Sequence, residues 1–151
     1  MELLINGKFT DEELKEIEVL FRELKVSVCR YSTKGIEIGE IVRAIFRDFN
    51  ALTLIRDGII FEIILSCTHK FLGWVRNKKP ETKIQIIFNL SFGNDKPVVM
   101  ISIPEQIEKD SKFITQLKTC LTEDFVDSLK KGEIVLLLWD EDNQEIKIIH
   151  F

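Results

Sequence analysis

Between Gly58 and Lys79 the chain follows an apolar helical pattern that closes on Leu72-Gly73-Trp74-Val75-Arg76, and Pro80 stops it. Proline has no amide proton and clashes with the preceding turn, so it ends a helix. Two strand-like runs follow at once, Thr82–Phe92 and Pro97–Ile103, joined by Gly93-Asn94-Asp95-Lys96. A glycine and asparagine link between two such runs is a hairpin signal. The helix is dense in isoleucine, and its broad apolar arc implies burial on more than one side. A long buried helix feeding a hairpin requires a mixed helix–strand fold.

The rest of the chain extends that pattern. Leu3-Leu4-Ile5 reads as a short strand ended by Asn6-Gly7, and Thr10 with Glu13 forms a capping box. Phe9 and Leu14 occupy the staple positions. Leu14, Ile17, Leu20, Phe21 and Leu24 recur at helical spacing, and Val26–Tyr31 alternates as a strand. The opening is therefore β-α-β. After a loop at Ser32–Gly35, Ile36–Phe49 reads as either helix or strand; Ile38, Ile41, Val42, Ile45, Phe46 and Phe49 fit the 3.6-residue period better than the two-residue one, which favours the helix. Asn50–Asp57 is a loose connection. Pro104 opens a second helical region reaching about Lys131, whose seam either runs through or restarts at a cap near Thr122. Gly132 stands where a C-cap glycine belongs. Glu133–Trp139 and Gln144–Phe151 then form a last hairpin over Asp140-Glu141-Asp142-Asn143. With no repeat or linker, residues 1–151 are expected to form one α+β domain. Its sheet is expected to be mostly antiparallel, with five to six strands and three to four helices packed mainly on one face.

At 151 residues the chain can bury roughly 70% of its unfolded surface, and its 45% hydrophobic content suffices for a core without disulfides. A net charge of −4 argues against broad phosphate-backbone binding, which needs a clustered positive surface. The strip Arg76-Asn77-Lys78-Lys79 reads instead as cations complementing a helix C-terminus. Three widely spaced cysteines, Cys29, Cys67 and Cys120, read as reduced cytosolic thiols, and the N-terminus shows no export pattern. The apolar region Ala51–Val75 is broken by Arg56, Asp57, Glu62, His69 and Lys70. Each charge at a bilayer centre costs ~2.5–3.5 kcal/mol, so no membrane span is expected. Heavy use of Ile, Lys and Phe fits a prokaryotic cell, and a cytoplasmic location is expected.

Candidate chemistry is sparse. Cys67 and His69 are the only thiol–imidazole neighbours, but positions two apart face different directions on a helix. The two histidines, His69 and His150, exclude metal sites built on several imidazoles, and the three cysteines contain no Cys-x-x-Cys pair. Asp140–Asn143 lacks the glycine and distal glutamate of a calcium loop. No catalytic residue, metal or cofactor is expected. Trp74, Arg76 and Trp139 belong to the residue types enriched at binding hot spots. Glu12, Glu13 and Glu16 decorate the first helix, and an acidic helix face can dock on a basic partner or mimic a nucleic acid as a decoy for a nucleic-acid-binding protein. A ligand reading invokes Arg30, Arg43, Arg47 or Arg76 holding an anion in the groove between sheet and helices, with Glu40 or Asp48 as partner. A deep pocket lined by two or more of these groups favours that reading, and a flat or filled sheet face favours protein binding.

The order strand, capped helix, strand, long helix, strand pair, with Phe71-Leu72-Gly73-Trp74-Val75-Arg76-Asn77-Lys78-Lys79 ending the helix, resembles small effector-associated domains of bacterial conflict and anti-phage systems. The resemblance covers roughly Met1 to Ile103. Pro104–Phe151 has no counterpart in it, and the family's glycine-rich turns are missing. It implies a non-catalytic adaptor pairing an effector with its sensor, and supplies no catalytic residues. The expected function is thus protein–protein interaction as an adaptor, regulatory or immunity-type component. The partner is another protein, and self-association through Glu145–Phe151 is compatible with this; the alternative is a binder of a small anionic ligand, or an enzyme acting on one.

Overall fold

The structure, a computed structural model, describes residues 1–31, 41–93, 95–107 and 111–151. In chain order its elements are β1 (Glu2–Asn6), α1 (Asp11–Phe21), β2 (Ser27–Arg30), β3 (Ile41–Asp48), α2 (Leu52–Arg56), α3 (Ile59–Lys78), β4 (Lys83–Ser91), β5 (Val98–Ile103), α4 (Ser111–Cys120), α5 (Glu123–Asp127), β6 (Ile134–Asp140) and β7 (Glu145–His150).

Parallel neighbours need a crossover, and each parallel pair here has a helical one. β1 and β2 flank α1, β3 and β4 flank α2 and α3, and β5 and β6 flank α4 and α5. Antiparallel pairs join these units: β1 with β3, β4 with β5, and β6 with β7. The result is one sheet in the order β2-β1-β3-β4-β5-β6-β7. Among the described residues the α+β fold thus has seven strands, mixed in direction, and five helices. The expected sheet of five to six mostly antiparallel strands is corrected on both counts, and the expected three to four helices are five.

The local signals act as their chemistry requires. The Glu13 amide donates to Thr10 Oγ1 at 3.1 Å and the Thr10 amide donates to Glu13 Oε1 at 2.9 Å, closing the capping box of α1. Gly58 sits at φ 72° ahead of α3, a left-handed conformation that costs glycine little. At Thr122 the helical seam restarts, its hydroxyl accepting from the Phe125 amide at 3.1 Å. Gly132 lies beyond the end of α5, in the turn before β6, and does not cap a helix.

The helix expected over Ile36–Phe49 is the main correction. Residues 32–40 lie outside the described ones, and Ile41–Asp48 is the strand β3. Val42, Ala44 and Phe46 are buried on one side while Ile41, Arg43, Ile45 and Arg47 point to the other. Apolar residues on both sides hide the two-residue period and imitate a helical one.

All five helices serve one side of the sheet. Leu3, Ile5, Val42, Ala44, Phe46, Phe88, Leu90, Val99, Ile101, Val135 and Leu137 share a core with Ile17, Phe21, Ile64, Phe71, Phe113 and Leu117 of the helices. Phe46 is its hub, with ring centroids 4.8 Å from Phe88, 5.6 Å from Phe21 and 6.4 Å from Phe71.

Candidate functional site

Residues that alternate with the core set point to the opposite face, which no helix among the described residues covers. The register aligns them in rows. Leu4 lies beside Ile45, Ile45 beside Ile87, Ile87 beside Ser102, and Ser102 beside Leu138. In the next row Glu2, Arg47, Asn89, Met100, Leu136 and Ile149 follow one another. Val98 and Ile134 form a third apolar pair, with the Phe151 amide bonded to the Ile134 carbonyl at 2.9 Å. Ile134, Leu138, Ile149 and Phe151 retain 43, 37, 36 and 75% of their accessible surface, so water meets apolar side chains across β6 and β7.

Charge is distributed unevenly on this face. On the β1–β3 side, Arg47 pairs with Glu2 at 2.6 Å and leans over the Phe49 ring, while Arg43 is exposed. On the β6–β7 side, Asp140 pairs with Lys147 at 3.0 Å. Hydrogen bonding from the Asn143 side chain, and then from Lys147, holds the Asp140 carboxyl at about 2.

The β7 edge is partly closed. Gln116 of α4 donates from Nε2 to the Gln144 carbonyl, and its Oε1 accepts from the Ile146 amide at 2.9 Å. The side-chain amide thereby occupies the place of a neighbouring strand, which limits pairing along Glu145–Phe151.

The residues singled out from the sequence fall into three places. Trp74, Glu13 and Glu16 come together, but with one another. Trp74 Nε1 donates to Glu16 Oε2 at 3.2 Å and its ring stacks on Phe9 at 5.9 Å. Lys79 pairs with Glu13 at 3.2 Å and Lys78 with Glu16 at 3.5 Å. The acidic side of α1 therefore serves largely as a clamp on the basic end of α3, and Glu12 remains exposed beside it. The Glu13 carboxyl is lowered by the Thr10 amide, with Lys79 adding to the effect. Arg76 is exposed and donates to the Glu105 carbonyl at 3.0 Å. Trp139 is buried edge-on against Phe113 at 5.7 Å, and its indole N–H has no hydrogen-bond partner among the described residues. Its surface is spent in the core.

The arginines of the ligand reading do not converge. Arg43 and Arg47 lie on the uncovered face and Arg76 at the end of α3. Arg30 lines a cleft of about 610 Å³ with Lys8, Tyr31 and Lys79, and Glu13 lines it too. Asp48 accepts from the Asn50 amide at 2.9 Å, and Glu40 lies outside the described residues. Cys67 is fully buried and burial pushes its thiol up to about 12, so it stays protonated, while His69 is exposed. Among the described residues no helix is long and apolar enough to cross a membrane.

Sequence reading missed Ile45, Ile87, Met100 and Leu136 as surface residues. The signal was the near-continuous apolar run in Ile134–Trp139, which marks a strand apolar on both faces, whereas in Lys83–Leu90 only Ile87 breaks the alternation of apolar residues with Lys83, Gln85 and Asn89.

Compared with known proteins, the chain matches no family model, no curated protein and no solved structure.

Proposed function

We propose that this chain is a non-catalytic protein–protein interaction module, an adaptor, regulatory or immunity-type component of a prokaryotic cell, and that it binds through the uncovered sheet face. The observation that carries the reading is the contiguous apolar surface from Leu4 and Ile45 through Ile87 and Met100 to Leu136 and Ile149. Soluble proteins rarely expose contiguous apolar patches beyond a few hundred Å², and larger ones mark binding surfaces. A rim of Glu2, Arg43, Arg47 and Lys147 around that centre matches the polar border of protein interfaces. The anionic-ligand reading has less behind it, because only Arg30 of its four arginines lines the cleft beside α1 and Glu13 opposes an anion there.

The test is affinity capture with the wild-type chain and with Ile87→Lys, both checked for folding by circular dichroism. The expected result is a stoichiometric assembly that the wild type forms and Ile87→Lys does not. An assembly that survives Ile87→Lys while failing with Trp74→Ala moves the interaction off this face and overturns the proposal.

A further inference from the structure

We propose that the cavity between α2, α5 and the link from β4 to β5 is a binding site for an apolar amino acid in its zwitterionic form. The site lies on the helix-covered side of the sheet, so it is independent of the interaction reading. Its volume of about 450 Å³ falls within the ~300–1,000 Å³ typical of small-molecule sites.

The floor comes from residues whose pattern sends them inward. Phe92 continues the alternation of Phe88 and Leu90 beyond the end of β4, and Val126 is the buried residue of α5. Leu52 of α2 and Leu129 after α5, both half-buried, form the walls. Three contacts fix this shape. Arg56 of α2 pairs with Glu123 of α5 at 2.9 Å, the Ala51 amide donates to the Ser91 carbonyl at 3.1 Å, and Lys131 pairs with Asp95 at 3.6 Å. A cavity whose walls are already held loses little conformational freedom when it fills.

The rim sets the charge of the ligand. It carries two carboxylates, Asp95 and Asp127, and two ammonium groups, Lys96 and Lys131. Asp95 and Lys131 serve each other. Lys96 and Asp127 form no ion pair among the described residues, and Arg56, which Asp127 attracts only at longer range, is committed to Glu123. One free cation and one free anion therefore border an apolar floor. An acid alone would gain Lys96 and be repelled by Asp127, and an amine alone would meet the reverse. A molecule with both charges beside an apolar side chain engages both groups and covers Phe92 and Val126, which is the chemistry of leucine or phenylalanine.

NMR titration of the isotope-labelled full chain with leucine and with phenylalanine tests the inference. Saturable shifts are expected at the amides of Phe92, Val126 and Leu129. Isocaproate, which lacks the ammonium group of leucine, and isoamylamine, which lacks its carboxylate, are each expected to bind about tenfold more weakly. Lys96→Glu and Asp127→Lys change exposed positions, and with folding checked by circular dichroism each is expected to weaken leucine about tenfold. No saturable shift with either amino acid up to about 10 mM overturns the site. Binding of isocaproate or isoamylamine as tight as that of leucine overturns the zwitterion, and shifts confined to the uncovered sheet face overturn the cavity as its place.

Discussion

Ile45 of β3 and Ile87 of β4 are register partners in a parallel pair, side by side at the middle of the sheet face that no described helix covers. Sheets built by helical crossovers are ordinarily buried on both faces. Here the crossovers α1, α2–α3 and α4–α5 all serve the other side, and the second face sets Leu4, Ile45, Ile87, Met100, Leu136 and Ile149 among polar residues such as Arg47, Asn89 and Ser102.

The hub of the covered side is the first point to test. Phe46 contacts Phe21, Phe71 and Phe88 with no exposure to water. Phe46→Ala is expected to cost roughly 3–5 kcal/mol, read from urea unfolding, because it removes the ring and leaves a cavity among three others. A loss below 1 kcal/mol on the order of a surface change would contradict its place in the core.

Thr68 lies fully buried in α3, and its hydroxyl has no hydrogen-bond partner among the described residues. Replacing it by the equally shaped Val removes an unsatisfied polar group, which otherwise costs about 1–3 kcal/mol. Thr68→Val is expected to raise the melting temperature; a fall would show that the hydroxyl is engaged.

Gln116 acts as a substitute strand at the β7 edge. Gln116→Ala leaves the Ile146 amide and the Gln144 carbonyl without their partner. Hydrogen exchange is expected to speed up at Ile146 while the Phe151 amide, bonded to Ile134, keeps its protection. Equal acceleration at both positions would mean that the hairpin as a whole had loosened.

The β6–β7 hairpin should respond to acid through Asp140. Its carboxyl is lowered from 3.8 to about 2 by the Asn143 side chain and then by Lys147. A depressed carboxyl stabilises the fold above its ordinary value, and that contribution is lost as pH falls from about 4 toward 2. An NMR titration of Asp140 is expected to show this low midpoint, and Asn143→Ala to bring it back up. A midpoint near 4 in the wild type would contradict the geometry.

Much of this fold was legible in the sequence because its signals are local. Thr10 and Glu13 close a capping box, Pro80 follows the end of α3, and the Gly93–Lys96 and Asp140–Asn143 links mark two hairpins. β3 escaped because Ile41 and Ile45 are apolar on the face opposite Val42, Ala44 and Phe46, so no alternation remained to be read. With that strand missed, the parallel pairing of β3 with β4 and the mixed direction of the sheet were hidden too. The candidate surface was hidden for the same reason, since apolar residues on a strand do not reveal which face a helix will cover. Trp74 and Glu16 carried interface-type chemistry and found each other, which residue type alone cannot anticipate.

The most direct measurement is hydroxyl-radical footprinting of the chain as it passes from its dissociated to its assembled state. Labelling is predicted to fall at Ile45, Ile87, Met100 and Leu136, and to stay constant at Val19, which is exposed on α1. Unchanged labelling of the sheet face through assembly would contradict its role as the binding surface.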